Sequence, residues 1–123
     1  MVKNILVVDD DEGIQKMFKF LLESYDYRVV QVASGKEALK KYVESKPDMV
    51  IMDILMPGMD GVKTTKKLLR QDKNAKIVVV TAVGKPGLEK GCIKAGAKAF
   101  LKKPFKIDQL LKTIQSVSKE EVV

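Results

Sequence analysis

Three unbroken runs of four apolar residues, Ile5–Val8, Met49–Met52 and Ile77–Val80, punctuate this chain. A strand with one face in water alternates apolar and polar residues, so a continuous run is the pattern of a strand covered on both faces. Stretches of helical period lie between the runs. Ile14, Met17, Phe18, Leu21 and Leu22 line one face of the first, and Leu39, Tyr42 and Val43 one face of the second. Val62, Thr65, Leu68 and Leu69 repeat the pattern, as do Ile107, Leu110, Leu111 and Ile114. Strand–helix alternation with short connections demands right-handed crossovers and predicts an α/β doubly wound parallel sheet.

The predicted strands are Asn4–Val8, Arg28–Val32, Asp48–Asp53, Lys76–Thr81 and Lys98–Lys102; the second and fifth, shorter or mixed in pattern, suit sheet edges. Ser34-Gly-Lys-Glu37 has the spacing of a capping box at the start of helix two. Lys106, before helix five, is a poor N-cap. Helix four is the weak element: residues 84–96 include Gly84, Pro86, Gly87, Gly91 and Gly96. Each interior glycine costs about 0.5–1 kcal/mol relative to alanine, so a short, easily remodelled helix is expected.

A chain of 123 residues, 46% hydrophobic, can bury one sizeable core, and residues 1–123 are expected to form a single domain without an output domain. No apolar stretch approaches the roughly 20 residues of a membrane span. Met1-Val-Lys-Asn leads directly into a strand, so no signal peptide is expected. The single Cys92 cannot form an intramolecular disulfide and fits a reducing cytoplasm. With no histidine in the chain, histidine metal ligands and histidine general bases are excluded. The net charge of +7 is uneven, with 8 Lys/Arg and 11 Asp/Glu in residues 1–60 but 15 and 3 in residues 61–119. Solvated helix faces account for most such lysines; a basic docking surface for an acidic partner is the sharper reading. Nucleic acid is disfavoured, because no aromatic platform interleaves the basic residues.

Chemistry gathers where the strands end. Strand one runs into Asp9-Asp10-Asp11-Glu12, strand three ends on Asp53 and is then broken by Pro57, Gly58 and Gly61, strand four ends on Thr81, and Lys103 follows strand five. Carboxyl ends of parallel strands face the crevice in which α/β sheets bind ligands. Several carboxylates in one place repel, which points to a divalent cation, and an all-oxygen set suits Mg²⁺. Cation, lysine and hydroxyl around a carboxylate are what phosphoryl transfer needs, with Asp53 as nucleophile. Each residue also has a plain reading. Acids favour helix N-termini, and Asp11 and Glu12 are expected to cap helix one. Threonine suits a strand, and a lone lysine is usually a solvated charge. Lys103-Pro104-Phe105 adds a turn that aims the lysine, through an X–Pro bond that can be cis.

Asp9-Asp10, Asp53, Thr81-Ala82 and Lys103-Pro104, with the segment Met52-Asp-Ile-Leu-Met-Pro-Gly-Met-Asp-Gly61, resemble the receiver domain of two-component response regulators over essentially the whole chain. The resemblance implies a flavodoxin-like five-stranded parallel sheet, order 2-1-3-4-5, with five helices. It implies that Asp53 accepts phosphate from a sensor histidine kinase or phosphotransfer protein. Asp10 would bind Mg²⁺ (or Mn²⁺) directly, Asp9 largely through water, and the Leu55 carbonyl would be a further ligand beside Asp53. Thr81 and Lys103 would grip the phosphoryl group, with Ala82 leaving room. Phe100 matches the switch aromatic that packs inward as Thr81 moves, although its plain reading is an edge-strand core residue. A downstream target would bind the face made by helix four, strand five and helix five.

The segments Thr81-Ala-Val-Gly and Lys94-Ala-Gly-Ala-Lys look most like stand-alone chemotaxis-type regulators, with a phosphorelay intermediate as the rival. Leu55 and Val83, two residues beyond Asp53 and Thr81, are apolar where polar groups can position a hydrolytic water in the family, so slow self-dephosphorylation is expected. Other classes fit less well. A haloacid-dehalogenase-like phosphatase, also Mg²⁺-dependent and aspartyl-phosphate-forming, wants an Asp-x-Asp pair after strand one, which the strand-one acids could supply, but usually also a cap insertion, for which this short chain offers no segment. An FMN binder needs a phosphate-cradling loop where Asp9–Glu12 would repel it. A constitutive interaction module would leave the complete acid, hydroxyl and lysine set unused.

Overall fold

The computed structural model describes residues 3–54, 61–82 and 87–119. Strands and helices alternate in the order β1 Asn4–Val8, α1 Glu12–Glu23, β2 Arg28–Val32, α2 Gly35–Ser45, β3 Met49–Asp53, α3 Gly61–Gln71, β4 Ile77–Thr81, α4 Leu88–Ala95, β5 Ala99–Lys102 and α5 Ile107–Ser118. The five strands form one parallel sheet in the order β2-β1-β3-β4-β5, so the apolar runs occupy its centre and the two mixed strands its edges.

Alternate residues of the central strands feed two separate cores. Leu6, Val8, Val50, Met52, Ile77 and Val79 meet α2, α3 and α4 through Ala38, Tyr42, Leu68 and Cys92. Ile5, Val7, Met49, Ile51, Val78 and Val80 meet α1 and α5 through Phe18, Leu22, Leu110, Ile114 and Val117. Covering both faces in this way removes the runs from water, at roughly 25 cal/mol per Å² of apolar surface buried.

Three strands begin one residue later than the sequence predicts. Asp48 serves instead as an entry clamp: its Oδ2 accepts the N–H groups of Lys3 and Asn4, each at 2.9 Å. Two expected core residues lie at the surface. Met17 is 38% exposed and Val43 is 62% exposed. The buried line of α1 runs through Phe18 and Leu22, leaving Met17 on its rim, and that of α2 runs through Ala38 and Tyr42, which turns Val43 outward. Ser34 caps α2 as expected, its hydroxyl accepting the Glu37 N–H at 3.2 Å. Lys106 offers no side-chain cap to α5; Gln109 Oε1 compensates by accepting the Lys106 N–H at 2.9 Å. Helix α4 is short, and it stops at Gly96, whose φ of +114° is a conformation costly to residues with a Cβ.

The chain returns to the sheet at Gly61. Its N–H donates to the Ile54 carbonyl at 2.8 Å, and a Cβ there would stand 2.3 Å from the Ile54 Cα, so only glycine lets α3 start against the end of β3. Far from that point, Tyr42 of α2 donates its hydroxyl to Asp72 Oδ2 at 2.7 Å. Burial first, and then the Asp72 hydrogen bond and charge, hold the Tyr42 phenol well above its ordinary pKa of 10.0. The neutral phenol is favoured in the folded state, so the unfolded chain gives up this proton first as pH rises past about 10, and stability falls there. Tyr42→Phe is therefore expected to lose about 1 kcal/mol at neutral pH by urea unfolding, with the gap to wild type narrowing in alkali. A pH-independent gap would contradict this assignment.

Candidate functional site

Ladder register brings the strand ends level. Val8 pairs with Met52, Asp53 with Val80 and Thr81 with Lys102. The residues at or just past these ends, Asp9, Asp10, Asp53, Thr81 and Lys103, consequently share one edge of the sheet. Asp9, Asp10 and Asp53 each present a carboxylate oxygen within 4.8 Å of the others. Asp9 is buried, Asp53 half-buried and Asp10 exposed, so the group is a graded cleft that opens to solvent at Asp10.

Each buried charge has a partner. Asp9 Oδ1 accepts the Asp11 N–H at 2.9 Å, and Asp9 Oδ2 meets the Lys103 ammonium at 3.3 Å. The same ammonium lies 4.0 Å from Asp53 Oδ2. Lys103 is itself anchored on both sides. Its N–H donates to the Thr81 carbonyl at 2.8 Å, and beyond the Lys103–Pro104 bond, which is cis, Phe105 packs on Phe18 with ring centroids 6.0 Å apart. Thr81 is 1% exposed, with its side chain engaged rather than free. Asp11 caps α1, accepting the Ile14 N–H at 3.1 Å, and Glu12 adds the acidic first turn, so the outer half of the acidic run does serve the helix.

One ammonium among three carboxylates leaves excess negative charge, and carboxylate oxygens are among the donors that hard divalent cations prefer. The residues therefore fit Mg²⁺ by donor type and by charge. Phe100 pairs with Val79, two residues before Thr81 and so on the same face, and, like Leu88, it packs against the core that contains Cys92. It stands beside α4 rather than among the carboxylates. Leu55 and Val83 fall outside the described residues. Next to Lys103, a largely apolar cavity of about 370 Å³ is lined by Ile14, Met17, Leu21, Ala82, Pro104 and Phe105. Met17, misplaced in the core by its periodicity, belongs to this surface. Sequence reasoning also missed Gln15, whose Nε2 donates to the backbone carbonyls of Asp9 and Val32. A glutamine beside an apolar stripe carries no pattern that would single it out.

The profile of the response regulator receiver domain matches residues 5–115. Chemotaxis protein CheY of Thermotoga maritima is 41% identical over 120 residues, which are 97% of this chain and 100% of that protein. A CheY-like receiver domain protein from Methanospirillum hungatei superposes with a TM-score of 0.91 at 30% identity, covering 98% of this chain and 96% of that one. The CheX–CheY–BeF3–Mg²⁺ complex from Borrelia burgdorferi contains a chain similar at TM-score 0.88 and 35% identity, with 94% and 88% covered.

Crowded like charges cost stability when no cation is bound. Asp10→Asn keeps the shape of the exposed member and removes its charge, so in EDTA it is expected to be more stable than wild type by on the order of 1 kcal/mol. Mg²⁺ is expected to stabilise wild type by binding the folded state, and to give no such stabilisation to the variant. Urea unfolding with and without Mg²⁺ measures both, and an Asp10→Asn protein less stable than wild type in EDTA would contradict the repulsion argument.

Proposed function

The chain belongs to the response regulator receiver domain family, of the CheY type that serves two-component signalling, and from that premise we propose that it takes up a phosphoryl group on Asp53 and uses it to change what it binds. The observation that carries this reading is the convergence of Asp9, Asp10 and Asp53 with Lys103 lying between Asp9 and Asp53. The donor is a phosphohistidine on a sensor kinase or phosphotransfer protein. An Asp53 oxygen attacks phosphorus in line, the P–N bond breaks, a P–O bond forms, and the imidazole nitrogen leaves with the electron pair. Asp9, Asp10, Asp53 and the carbonyl of Leu55 are the groups assigned to Mg²⁺. When bound, the cation supplies charge neutralisation for the phosphoryl oxygens.

Lys103 and Thr81 hold those oxygens, and Ala82 leaves them room. Before phosphorylation the Lys103 ammonium neutralises Asp9 and Asp53, and its task changes to holding the phosphoryl group once Asp53 carries an acyl phosphate. The signal leaves through Thr81, which shares a sheet face with Phe100 and so with the packing around α4. Having no phenolic hydroxyl, Phe100 works by packing alone. Phosphorylation acts as local electrostatics that bias two packings of one element.

The exposed Lys90, Lys94, Lys98 and Lys102 on and around α4 and β5 give the target face a basic character that suits an acidic protein partner. The existence of a CheX–CheY complex in Borrelia burgdorferi supports a protein rather than a nucleic acid as the partner. No helix among the described residues is long and apolar enough to cross a membrane, and a single cysteine, Cys92, that cannot form an intramolecular disulfide supports a reducing, cytoplasmic setting. We read the protein as a phospho-accepting signalling domain rather than an enzyme with turnover.

Intact-mass spectrometry after adding acetyl phosphate tests this reading. A gain of one phosphoryl group in Mg²⁺ is expected, absent in EDTA and absent from Asp53→Ala. Because Leu55 and Val83 are apolar, decay of the adduct over minutes or longer is expected. An adduct that persists in Asp53→Ala, or none in either medium, would contradict the assignment, and loss within seconds would contradict the slow-hydrolysis part alone.

A further inference from the structure

We propose that Gln15 is a positioning residue of the acidic site, fixing the peptide that joins Asp9 to Asp10 and thereby the angle between their carboxylates. The inference rests on the receiver reading, in which those two residues face the cation. Asp9 follows the last paired residue of β1, and its N–H still reaches the Val32 carbonyl at 3.1 Å. Its own carbonyl is held by a side chain. Gln15 Nε2 donates both to the Asp9 carbonyl and, at 3.1 Å, to the Val32 carbonyl, tying the ends of β1 and β2 to the first turn of α1. A primary amide carries two N–H groups on one nitrogen, which lets a single side chain bridge two carbonyls.

The bridged carbonyl is the one that matters for geometry. A peptide is a rigid plane, so the Asp9 C=O, the Asp10 nitrogen and the Asp10 Cα move together. Holding that oxygen sets the dihedral that follows the Asp9 Cα and the one that precedes the Asp10 Cα. The two carboxylates project from those same carbons. Gln15 is in turn held at both ends of its own backbone: its N–H donates to the Asp11 carbonyl at 3.0 Å, and Gln31 Nε2 donates to its carbonyl. The chain of bonds runs from Gln31 on the edge strand through Gln15 to the buried Asp9, at 2% exposure, without touching a carboxylate. Partners that orient ligand groups in this way typically contribute tenfold or more in metal affinity although they never meet the metal.

Calorimetric titration with Mg²⁺ and ¹H–¹⁵N spectra in EDTA test this on wild type, Gln15→Met, Gln15→Asn and Tyr42→Phe. Methionine keeps the length without a donor, and asparagine keeps the amide but stops one methylene short, so either variant carries the test if the other fails to fold. Both are expected to bind Mg²⁺ roughly tenfold or more weakly than wild type and to shift the Asp10 amide resonance even without metal. Tyr42→Phe, which removes a hydrogen bond remote from the site, is expected to lose stability and bind Mg²⁺ as wild type does. Wild-type affinity in the Gln15 variants would overturn the positioning role and leave the receiver reading standing. Equal weakening in Tyr42→Phe would overturn it too, by tracing the effect to general stability. A wild-type protein that binds no Mg²⁺ would overturn the receiver reading itself.

Discussion

Carboxylates repel one another, and the sheet of this protein nevertheless brings three together: Asp9, Asp10 and Asp53 present oxygens within 4.8 Å. The arrangement is forced by register, because parallel strands of matched length end level and the acids sit at or just past those ends. Two devices make it tolerable without a cation. The Asp11 N–H and the Lys103 ammonium both bind Asp9, the one acid that is fully buried. Asp10 faces water, which screens it. Lys103 can serve as counter-charge only because the Thr81 carbonyl and the Phe18–Phe105 contact pin the turn that carries it. The folding of that turn and the electrostatics of the site are therefore one problem.

In the proposed function, the same charge balance gives the site its capacity to signal. A receiver whose acids were already fully compensated would gain little from a cation or a phosphoryl group. Here the ammonium is divided between Asp9 and Asp53 at 3.3 and 4.0 Å, so new negative charge on Asp53 can draw it away from Asp9. Thr81 is the other end of the proposed connection, since it lies on the sheet face that also carries Phe100. The element packed against Phe100 is α4, eight residues long with Cys92 as its one buried residue. Little apolar area holds it in place, which makes it the least costly of the five described helices to reposition.

Much of this was legible in the residues, for identifiable reasons. Unbroken apolar runs can only be doubly covered strands in a chain of this size, and acids at their ends must lie on one edge. Periodicity assigned β2 and β5 to the edges, while the full strand order came from the resemblance. It failed where side-chain size misled: Val43 outranks Ala38 as an apolar residue, yet Ala38 and Tyr42 face the sheet and Val43 faces water. Met17 matched the core stripe of α1 and instead lines the cavity beside Lys103. Gln15 was invisible because it acts on backbone carbonyls, which every residue possesses and no sequence pattern marks. Strand entries such as Asp48 were placed one residue early because a clamp on two N–H groups reads like the start of the strand it clamps.

The most direct test of the central claim, that Lys103 is the counter-charge of the unphosphorylated site and the phosphoryl ligand of the phosphorylated one, is a structure of this protein with Mg²⁺ and BeF3. Beryllium bonded to an Asp53 oxygen is expected, with the Lys103 ammonium withdrawn from Asp9 and turned to a fluoride. Beryllofluoride bound elsewhere, or on Asp53 with Lys103 still paired to Asp9 at its present 3.3 Å, would contradict the claim.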